Sequence, residues 1–267
     1  MKLNDILTFS FCHLRHQLGL NDPDRHDMVK RSRSDDSELC RELTTKYGLT
    51  EEQMQHAAER YLLGCSRSGK TIYWMIDEQG FVRDGHIGST SMAPECWVST
   101  LLQRRYPELA PYVRQPHCLF GQHLLGRTYL ENPTESTNNI SAFSAISAGH
   151  KTICVVESER TAVVMSELLP ESLWLATGYA MNLTREVLKP LQGHRVMLFP
   201  PTDETQETYF AWLEVADQAQ RQYHLDISVS TILEEQCTPE QKQRHIDLLD
   251  FLFYDQHLRQ HTIHQQT

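Results

Sequence analysis

The sequence lacks the features that define several classes of protein. Its seven cysteines are an odd number and include no Cys-x-x-Cys pair, so neither a zinc ribbon nor a disulfide framework is expected and the thiols should be reduced. No apolar run approaches the roughly 18 to 20 residues of a membrane-spanning helix. Polar residues interrupt the amino terminus too early for a signal peptide. We therefore predict a cytoplasmic protein without membrane contacts.

A broad basic surface is also missing. The 267 residues include 25 Lys and Arg against 35 Asp and Glu, a formal net charge of −10. By segment, residues 1–48 have 8 basic and 8 acidic side chains, 49–150 have 8 and 10, and 151–267 have 9 and 17. Tight, sequence-independent binding of nucleic acid is not expected of such a chain by itself. Its length and hydrophobic content of 40% still suffice for one large or two modest domains.

The most informative segment alternates strands with helices. The β-branched run from Thr152 to Val156 has the composition of a strand buried on both faces, and Glu157 follows it directly. After a helical pattern come two more strand-like runs, 172–176 and 195–199, and the second leads into Pro-Pro-Thr-Asp, which ends at Asp203. This alternation predicts a parallel sheet, and such sheets bind ligands beyond the carboxyl ends of their strands. We expect Glu157 and Asp203 to lie at that edge.

Three short sequence motifs in this segment resemble those of a known family. Residues 155–162 (VVESERTA), 174–178 (WLATG) and 196–203 (VMLFPPTD) together resemble the Toprim signature of a DNA-primase-like group carried on bacterial mobile genetic elements. The resemblance covers most of residues 60–252. It implies an α/β fold with a Toprim-like, mostly parallel sheet flanked by helices and preceded by a small helical and β-hairpin lobe.

The resemblance also implies a metal site. In Toprim proteins, a glutamate after the first strand and an Asp-x-Asp pair after a later one hold Mg²⁺ for phosphoryl transfer, which suits a hard ion that prefers carboxylate and water oxygens. Glu157 stands at the glutamate position and Asp203 at the second aspartate, with Glu159 as a neighbouring acid. These three are the candidate ligands of Mg²⁺ or Mn²⁺, and Glu157 and Asp203 are the candidate catalytic residues. Pro201 occupies the first aspartate position and cannot ligate a metal through its side chain.

Three functions remain open on these residues. The leading one is nucleotidyl transfer in replication of a mobile element, with single-stranded DNA or RNA and nucleotides as ligands and a helicase or other replication protein as a partner. The second is a Toprim shell without catalysis that docks nucleic acid or protein, which the proline, the acidic charge and the absence of a zinc module favour. The third is a metal-dependent nuclease that uses the same acids.

Residues 1–125 are predicted to form an amino-terminal lobe that resembles a primase core from about residue 60. Its expected elements are a helix in 1–20, a polar loop in 21–37, helices in 37–47 and 50–64, strands in 72–76 and 81–88, and a short helix from 97. By resemblance to the lobe that cradles template and nucleotides, the candidate phosphate contacts are Arg83, Arg104 and Arg105.

One motif in this lobe, Gly64 to Thr71, matches the letters of a phosphate-binding loop, G-x-x-x-x-G-K-[ST]. A phosphate loop must follow a strand and open a helix, so that the first amides of the helix face the phosphates. Here a helical pattern precedes the motif and a strand-like run comes after it. We therefore predict a turn that leads into a hairpin.

The remaining segments complete the predicted order. Residues 126–150 are expected to be an exposed linker loop, 151–255 the Toprim-like domain with carboxyl-terminal helices, and 256–267 a tail. Within the domain we predict a helix in 205–223, an edge strand in 225–230 and one last helix over 238–252. The tail histidines, His257, His261 and His264, are expected to be solvated and not to form a metal site.

Overall fold

The computed structural model describes residues 23–88, 96–105, 107, 118–126 and 152–253. The chain divides into two compact units, Met1–Gly149 and His150–Thr267. The predicted helix in 1–20, the linker beyond residue 126 and the histidine-containing tail lie outside the described residues and stay predictions.

Three helices open the described part of the first unit. They are α1 (Pro23–Ser32), α2 (Glu38–Thr45) and α3 (Glu51–Arg60). The sequence predicted α2 and α3, and their first turns show why. Ser37 accepts a hydrogen bond from the Cys40 N–H, while Thr50 and Gln53 form a reciprocal capping box. Helices α2 and α3 therefore begin where a side chain accepts a hydrogen bond from an amide of the first turn.

The predicted loop at 21–37 is wrong over α1. Proline at the first helical position is compatible with a helix, because its missing N–H would have had no partner within the helix. Asp27 and Arg31 form an ion pair of 2.9 Å one turn apart. Val29 is buried in a cluster with Leu62 and Trp74. A short apolar stripe on a polar segment was enough to form the helix, and the polar composition concealed it.

An antiparallel sheet of order β1-β2-β3-β4 forms the rest of this unit. Its elements are β1 (Gly64–Cys65), β2 (Thr71–Ile76), β3 (Val82–Gly88) and β4 (Cys96–Trp97), followed by α4 (Val98–Arg105) and a 3₁₀ turn (Gln122–Leu125). The predicted hairpin of β2 and β3 is confirmed. Trp74 lies in the core between this sheet and the helices, and its Nε1 donates to Ser32 Oγ at 2.9 Å.

The motif from Gly64 to Thr71 connects β1 and β2, which pair in antiparallel fashion. The Ser66 N–H donates to the Lys70 carbonyl at 2.8 Å, and Gly69 adopts a φ of +83°, which favours glycine. The first amides of the nearby α2 are already used, since Glu38 N–H donates to the Gly69 carbonyl and Leu39 N–H to Thr71 Oγ1. The predicted turn that leads into a hairpin is confirmed.

The second unit is an α/β fold with a four-stranded parallel sheet of order β6-β5-β7-β8. The strands are β5 (Thr152–Val156), β6 (Ser172–Ala176), β7 (Arg195–Phe199) and β8 (Asp226–Val229). The connecting helices are α5 (Glu159–Leu168), α6 (Arg185–Leu188) and α7 (Glu207–Tyr223), with 3₁₀ turns at Ala180–Asn182 and Lys189–Leu191. Because crossovers between parallel strands are right-handed, the reversal of direction after β6 puts α5 on one face and α6 and α7 on the other. This parallel sheet flanked by helices agrees with the predicted α/β fold class.

Burial varies with the position of each strand in the sheet. From Ile153 to Val156 every residue of β5 is buried, as the apolar run predicted for a strand covered on both faces. β8 has no buried residue and alternates exposed with half-buried side chains, as expected at the edge of the sheet. The predicted edge strand is therefore confirmed.

The prediction of one last helix over 238–252 is wrong. The chain instead forms α8 (Ile232–Gln236), α9 (Pro239–Gln243) and a further helix at 248–253. His245, with a φ of +51°, ends the helical path after α9. Asp247 then starts the next helix by accepting the Asp250 N–H at 2.9 Å. The sequence pattern did not indicate this second capping residue.

The sequence predicted reduced thiols and no membrane-spanning helix, and the described residues bear on both predictions. All six cysteines there are free thiols, and Cys40, Cys118 and Cys154 are buried. No helix in the described part of the chain is both long enough and apolar enough to cross a bilayer.

Candidate functional site

The carboxyl edge of the parallel sheet has one point where successive connections leave in opposite directions. β5 lies between β6 and β7, so the chain passes from β5 to one side and later returns to the other. Ligands of open α/β sheets bind in the crevice at such a point. The last residues of the two strands, Val156 and Phe199, are partners in register. The loops that leave β5 and β7 therefore start side by side at this crevice.

Glu157 comes directly after β5 at this point and is half-buried. Its Oε1 accepts the Ala180 N–H at 3.0 Å, and its own carbonyl accepts the Gly178 N–H at 2.9 Å. Both donors belong to the segment after β6. The Glu157 side chain is therefore held at the crevice and, at the same time, anchors the neighbouring loop.

Asp203 lies at the same edge, in the loop between β7 and α7, and it is buried. Its Oδ1 accepts the N–H of Thr205 at 2.9 Å, the Thr205 hydroxyl at 2.8 Å and the Glu207 N–H at 3.0 Å, while Oδ2 accepts the Thr208 N–H at 2.9 Å. These donors form the entry to α7. Asp203 therefore satisfies amides that an isolated helix would leave without partners.

The charge of Asp203 is strongly favoured in this setting. Burial alone would raise the pKa of the carboxyl, but the hydrogen bonds from Thr208, Thr205 and Glu207 outweigh it and hold the pKa well below its usual range. The positive end of the α7 dipole acts in the same direction. Asp203 is therefore a fixed negative charge at the edge of the sheet at any physiological pH.

Pro201 is buried and brings no carboxylate to the position where the resemblance expects an aspartate. Its neighbour Thr202 donates through Oγ1 to Glu234 Oε1 at 2.7 Å. Glu234 Oε2 accepts Gln206 Nε2 at 2.9 Å and forms an ion pair with Lys242 Nζ at 2.8 Å. This Glu234–Lys242 pair holds the loop on both sides of Asp203. No local sequence pattern links the pair to the loop, because its members come from α8 and α9, about 30 or more residues further along the chain.

Glu159 is the first residue of α5 and is buried, so it lies close to the same edge along the chain. The next residues meet the carboxyl-terminal helix. Arg160 pairs with Asp250 at 3.4 Å, and the Thr161 hydroxyl donates to Asp247. Burial, and after it the nearby charge of Asp250, raises the pKa of the Asp247 carboxyl. Apart from the position of Asp247 before an apolar helix, no sequence pattern indicated that this residue is buried against α5.

The acidic residues at this edge suit a metal site that keeps several waters better than one made wholly of protein ligands. No three His, Cys, Asp or Glu side chains come together as a metal-binding group among the residues that the structure describes. Mg²⁺, however, commonly uses one or two carboxylates and keeps several waters. In number and residue type, Glu157 and Asp203 match such a water-rich site, and Glu159 lies near Glu157 along the chain. A cage made wholly of protein ligands does not fit.

The predicted arginine contacts lie in the first unit. Arg83 donates Nε to Asp77 Oδ2 at 2.7 Å and pairs through Nη2 at 2.6 Å, while Asp77 Oδ1 accepts the amides of Gln79 and Phe81. Arg83 therefore closes the β2–β3 turn, a structural role that the sequence did not indicate. Arg104 is exposed on α4. The Arg105 side chain is outside the described part.

A solved structure and a family profile show similarity to parts of this chain. The primase fragment of the bacteriophage T7 primase-helicase protein has a loosely similar structure, with a TM-score of 0.38 and 16% sequence identity over 68% of this chain. The chain covers 61% of the length of that fragment. No curated protein matches the sequence. A family profile described as a domain of unknown function, DUF6371, matches residues 37–135 and 143–202, which is more than half of the chain and includes both Glu157 and the loop up to Thr202. The chain belongs to the DUF6371 family.

Proposed function

We propose that this protein is a Toprim-type protein that acts on nucleic acid at the carboxyl edge of its parallel sheet. In the leading form of the proposal, Glu157 and Asp203 hold a divalent ion, Mg²⁺ or Mn²⁺, for nucleotidyl transfer during replication of a mobile element. Single-stranded DNA or RNA and nucleotides are the proposed ligands, and a helicase or other replication protein is a proposed partner.

The observation that carries the proposal is the placement of Glu157 and Asp203. They come after two adjacent parallel strands whose last residues are in register, at the crevice where such sheets bind ligands. The sequence places these acids 46 positions apart along the chain, and the sheet brings their strands side by side. Two carboxylates at such a crevice, one of them kept ionised, are suited to neutralise a metal that orients phosphate oxygens.

The residues of this chain have distinct proposed roles. Asp203 provides a permanent negative charge whose position α7 fixes, since four hydrogen bonds prevent it from rotating away. Glu157 provides the second carboxylate and ties the loop after β6 to the crevice. A bound Mg²⁺ would supply charge neutralisation and alignment of phosphate oxygens. The Glu234–Lys242 pair positions the loop that carries Asp203.

A second candidate function is favoured by the same contacts of Asp203. A carboxylate has about four lone-pair positions, and the entry to α7 already uses at least four donors on Asp203. Together with Pro201 in place of an aspartate, this supports a Toprim shell that binds nucleic acid or a protein without phosphoryl chemistry. In this alternative, the acids are retained because they hold the loops of the sheet edge.

Three assays on the same purified protein separate the candidates. Titration calorimetry with Mn²⁺ measures metal binding directly. Incubation with Mg²⁺ or Mn²⁺, labelled nucleotides and primed or unprimed single strands measures extension, and end-labelled strands report cleavage. The leading form predicts metal binding and extension, both lost in Glu157→Gln, a variant that keeps the size of the side chain and removes its charge. Cleavage without extension identifies a nuclease, and strand binding without either supports the shell.

The matched control is Glu171→Gln. Glu171 is exposed and precedes β6, at the amino end of the strands and therefore at the opposite edge of the sheet. Removal of its charge changes the net charge equally but leaves the crevice intact. Metal binding that falls equally in both variants would indicate a nonspecific response to charge and would refute the site. If the wild-type protein binds neither metal nor single strands, the leading form is wrong, and so is a shell that binds nucleic acid.

A further inference from the structure

A short segment after β6 is fastened to the candidate site by its backbone. The 3₁₀ turn Ala180–Asn182 begins with an N–H that donates to Glu157 Oε1 at 3.0 Å. The Ala180 carbonyl accepts Trp212 Nε1 of α7 at 3.2 Å, and Asn182 Nδ2 donates to the Thr177 carbonyl at 3.2 Å. Hydrogen bonds from the end of β5, from α7 and from the end of β6 therefore fix the backbone of this turn.

The side chains on either side of this fixed backbone are exposed. Tyr179 is 59% exposed and Met181 is 76% exposed. Single exposed apolar residues are normal on protein surfaces. These two, however, flank Ala180, whose N–H donates to the Glu157 carboxylate. Because the backbone of their loop is fixed, their side chains stay exposed. Phe210, which is 56% exposed, lies on the first turn of α7, whose first amides Asp203 holds. Each candidate metal-facing acid thus positions a neighbouring exposed apolar side chain.

The charge around this edge selects the kind of ligand. The second unit has an excess of acidic residues, and Glu204 and Glu207 are exposed beside Asp203. Lys242, the cation that braces this loop, is paired with Glu234. Such a surface repels phosphate wherever no metal ion intervenes, but it does not repel a neutral ring. Aromatic side chains contribute to the binding of single strands by stacking on bases, a contact that tolerates any sequence because every base has a π-face.

We propose that Tyr179, supported by Met181, stacks against a base of a single-stranded nucleic acid whose phosphate lies at the Glu157 crevice. This inference rests on the proposed function and adds to it the group that holds the base. A flat, partly exposed phenol ring beside a flexible thioether suits any base, so the site is expected to bind single strands without sequence preference.

The test measures binding of a fluorescein-labelled oligothymidylate by anisotropy in the presence of Mg²⁺. Because stacking contributes about 1–3 kcal/mol per base, Tyr179→Ala should weaken binding by about 5- to 150-fold, whereas Tyr179→Phe should bind like the wild type. Met181→Ala should have a smaller effect in the same direction. A strand of the same length with abasic units in place of the bases should bind wild type and Tyr179→Ala equally.

The matched control is Leu168→Ala. Leu168 is also exposed, at 40%, but it lies at the last residue of α5, and α5 starts at the crevice edge and ends at the opposite edge. This variant should bind the oligothymidylate like the wild type. Equal binding by wild type and Tyr179→Ala would overturn the inference and leave the proposed function intact. Loss of self-association in Tyr179→Ala, measured by sedimentation, with strand binding unchanged would assign this surface to contact between copies of the chain and would also overturn it. Absence of any strand binding by the wild type would refute the proposed function itself.

Discussion

Replacement of Asp203 by alanine should destabilise the second unit whether or not the residue ever holds a metal. The substitution removes every acceptor for the amides of Thr205, Glu207 and Thr208 and for the Thr205 hydroxyl. Loss of an acidic helix cap costs about 0.5–2 kcal/mol. Because Asp203 is buried and serves four donors, we expect the upper end of that range, about 2 kcal/mol.

The assay is urea unfolding monitored by far-ultraviolet circular dichroism. With a denaturant dependence of about 2 kcal/mol per molar urea, a loss of about 2 kcal/mol lowers the midpoint by about 1 M. Asp203→Asn keeps one acceptor oxygen and should lose about half as much. The control on the same helix is Asp217→Ala, which removes only an exposed ion pair with Arg221 of 2.6 Å and should change stability by less than about 0.5 kcal/mol.

The dependence on pH gives a second reading of the same interaction. The pKa of Asp203 in the folded protein is lowered below the unfolded value of about 3.9. Its contribution to stability is therefore complete above the unfolded pKa and is lost as the pH falls through the folded pKa. The difference in stability between wild type and Asp203→Asn should be constant from neutral pH to about pH 5 and should shrink only below about pH 4. If Asp203→Ala unfolds at the wild-type midpoint, the helix-capping role is refuted and the acid must be explained by ligand binding alone.

Three further variants test the other contacts. Asp247→Asn should make the melting temperature less dependent on pH. The raised pKa of the buried acid stabilises the fold below the unfolded pKa of about 3.9, and this stabilisation is lost as the pH rises through the folded pKa, so parallel pH profiles above about pH 4 in the variant and the wild type would contradict this. Lys242→Met should lower the free energy of unfolding, measured by thermal unfolding, by about 3 kcal/mol, because Glu234 then stays nearly buried without its cation. Adding Glu234→Gln should recover part of this stability, and equal stability of the single and double variants would refute the coupling. Lys70→Ala should leave the binding of Mg²⁺–ATP unchanged in calorimetry, since the motif is a hairpin turn, and a loss of nucleotide binding would show that this assignment is wrong.

Local sequence signals were reliable where one side chain or one short pattern decides the structure. The capping box at Thr50 and Gln53 located the start of α3, and the unbroken apolar run of β5 identified a strand buried on both faces. The same signals failed where the decisive contact is distant. The α1 helix depends on packing of Val29 against Leu62 and Trp74, and a polar composition gave no hint of it.

The split of the predicted last helix has a related cause. The apolar spacing from Ile246 onwards is compatible with a single helix. In the structure, His245 takes a left-handed conformation and Asp247 begins a new helix, with its carboxylate accepting from Thr161 of α5. A capping residue whose partner is 86 positions away is not visible as a periodic pattern.

The sequence by itself determined which residues end the central strands, and therefore that an acid stands directly after β5 and another shortly after β7. Hydrophobic periodicity and the identity of the next residue are local properties, so they can be read without the fold. Only the tertiary structure decided what those acids contact. It directs Glu157 to the turn after β6 and commits Asp203 to the start of α7, and it braces the loop between β7 and α7 with the Glu234–Lys242 pair. Hydrogen bonds between segments far apart in the chain depend on strand order and register, which no local pattern specifies.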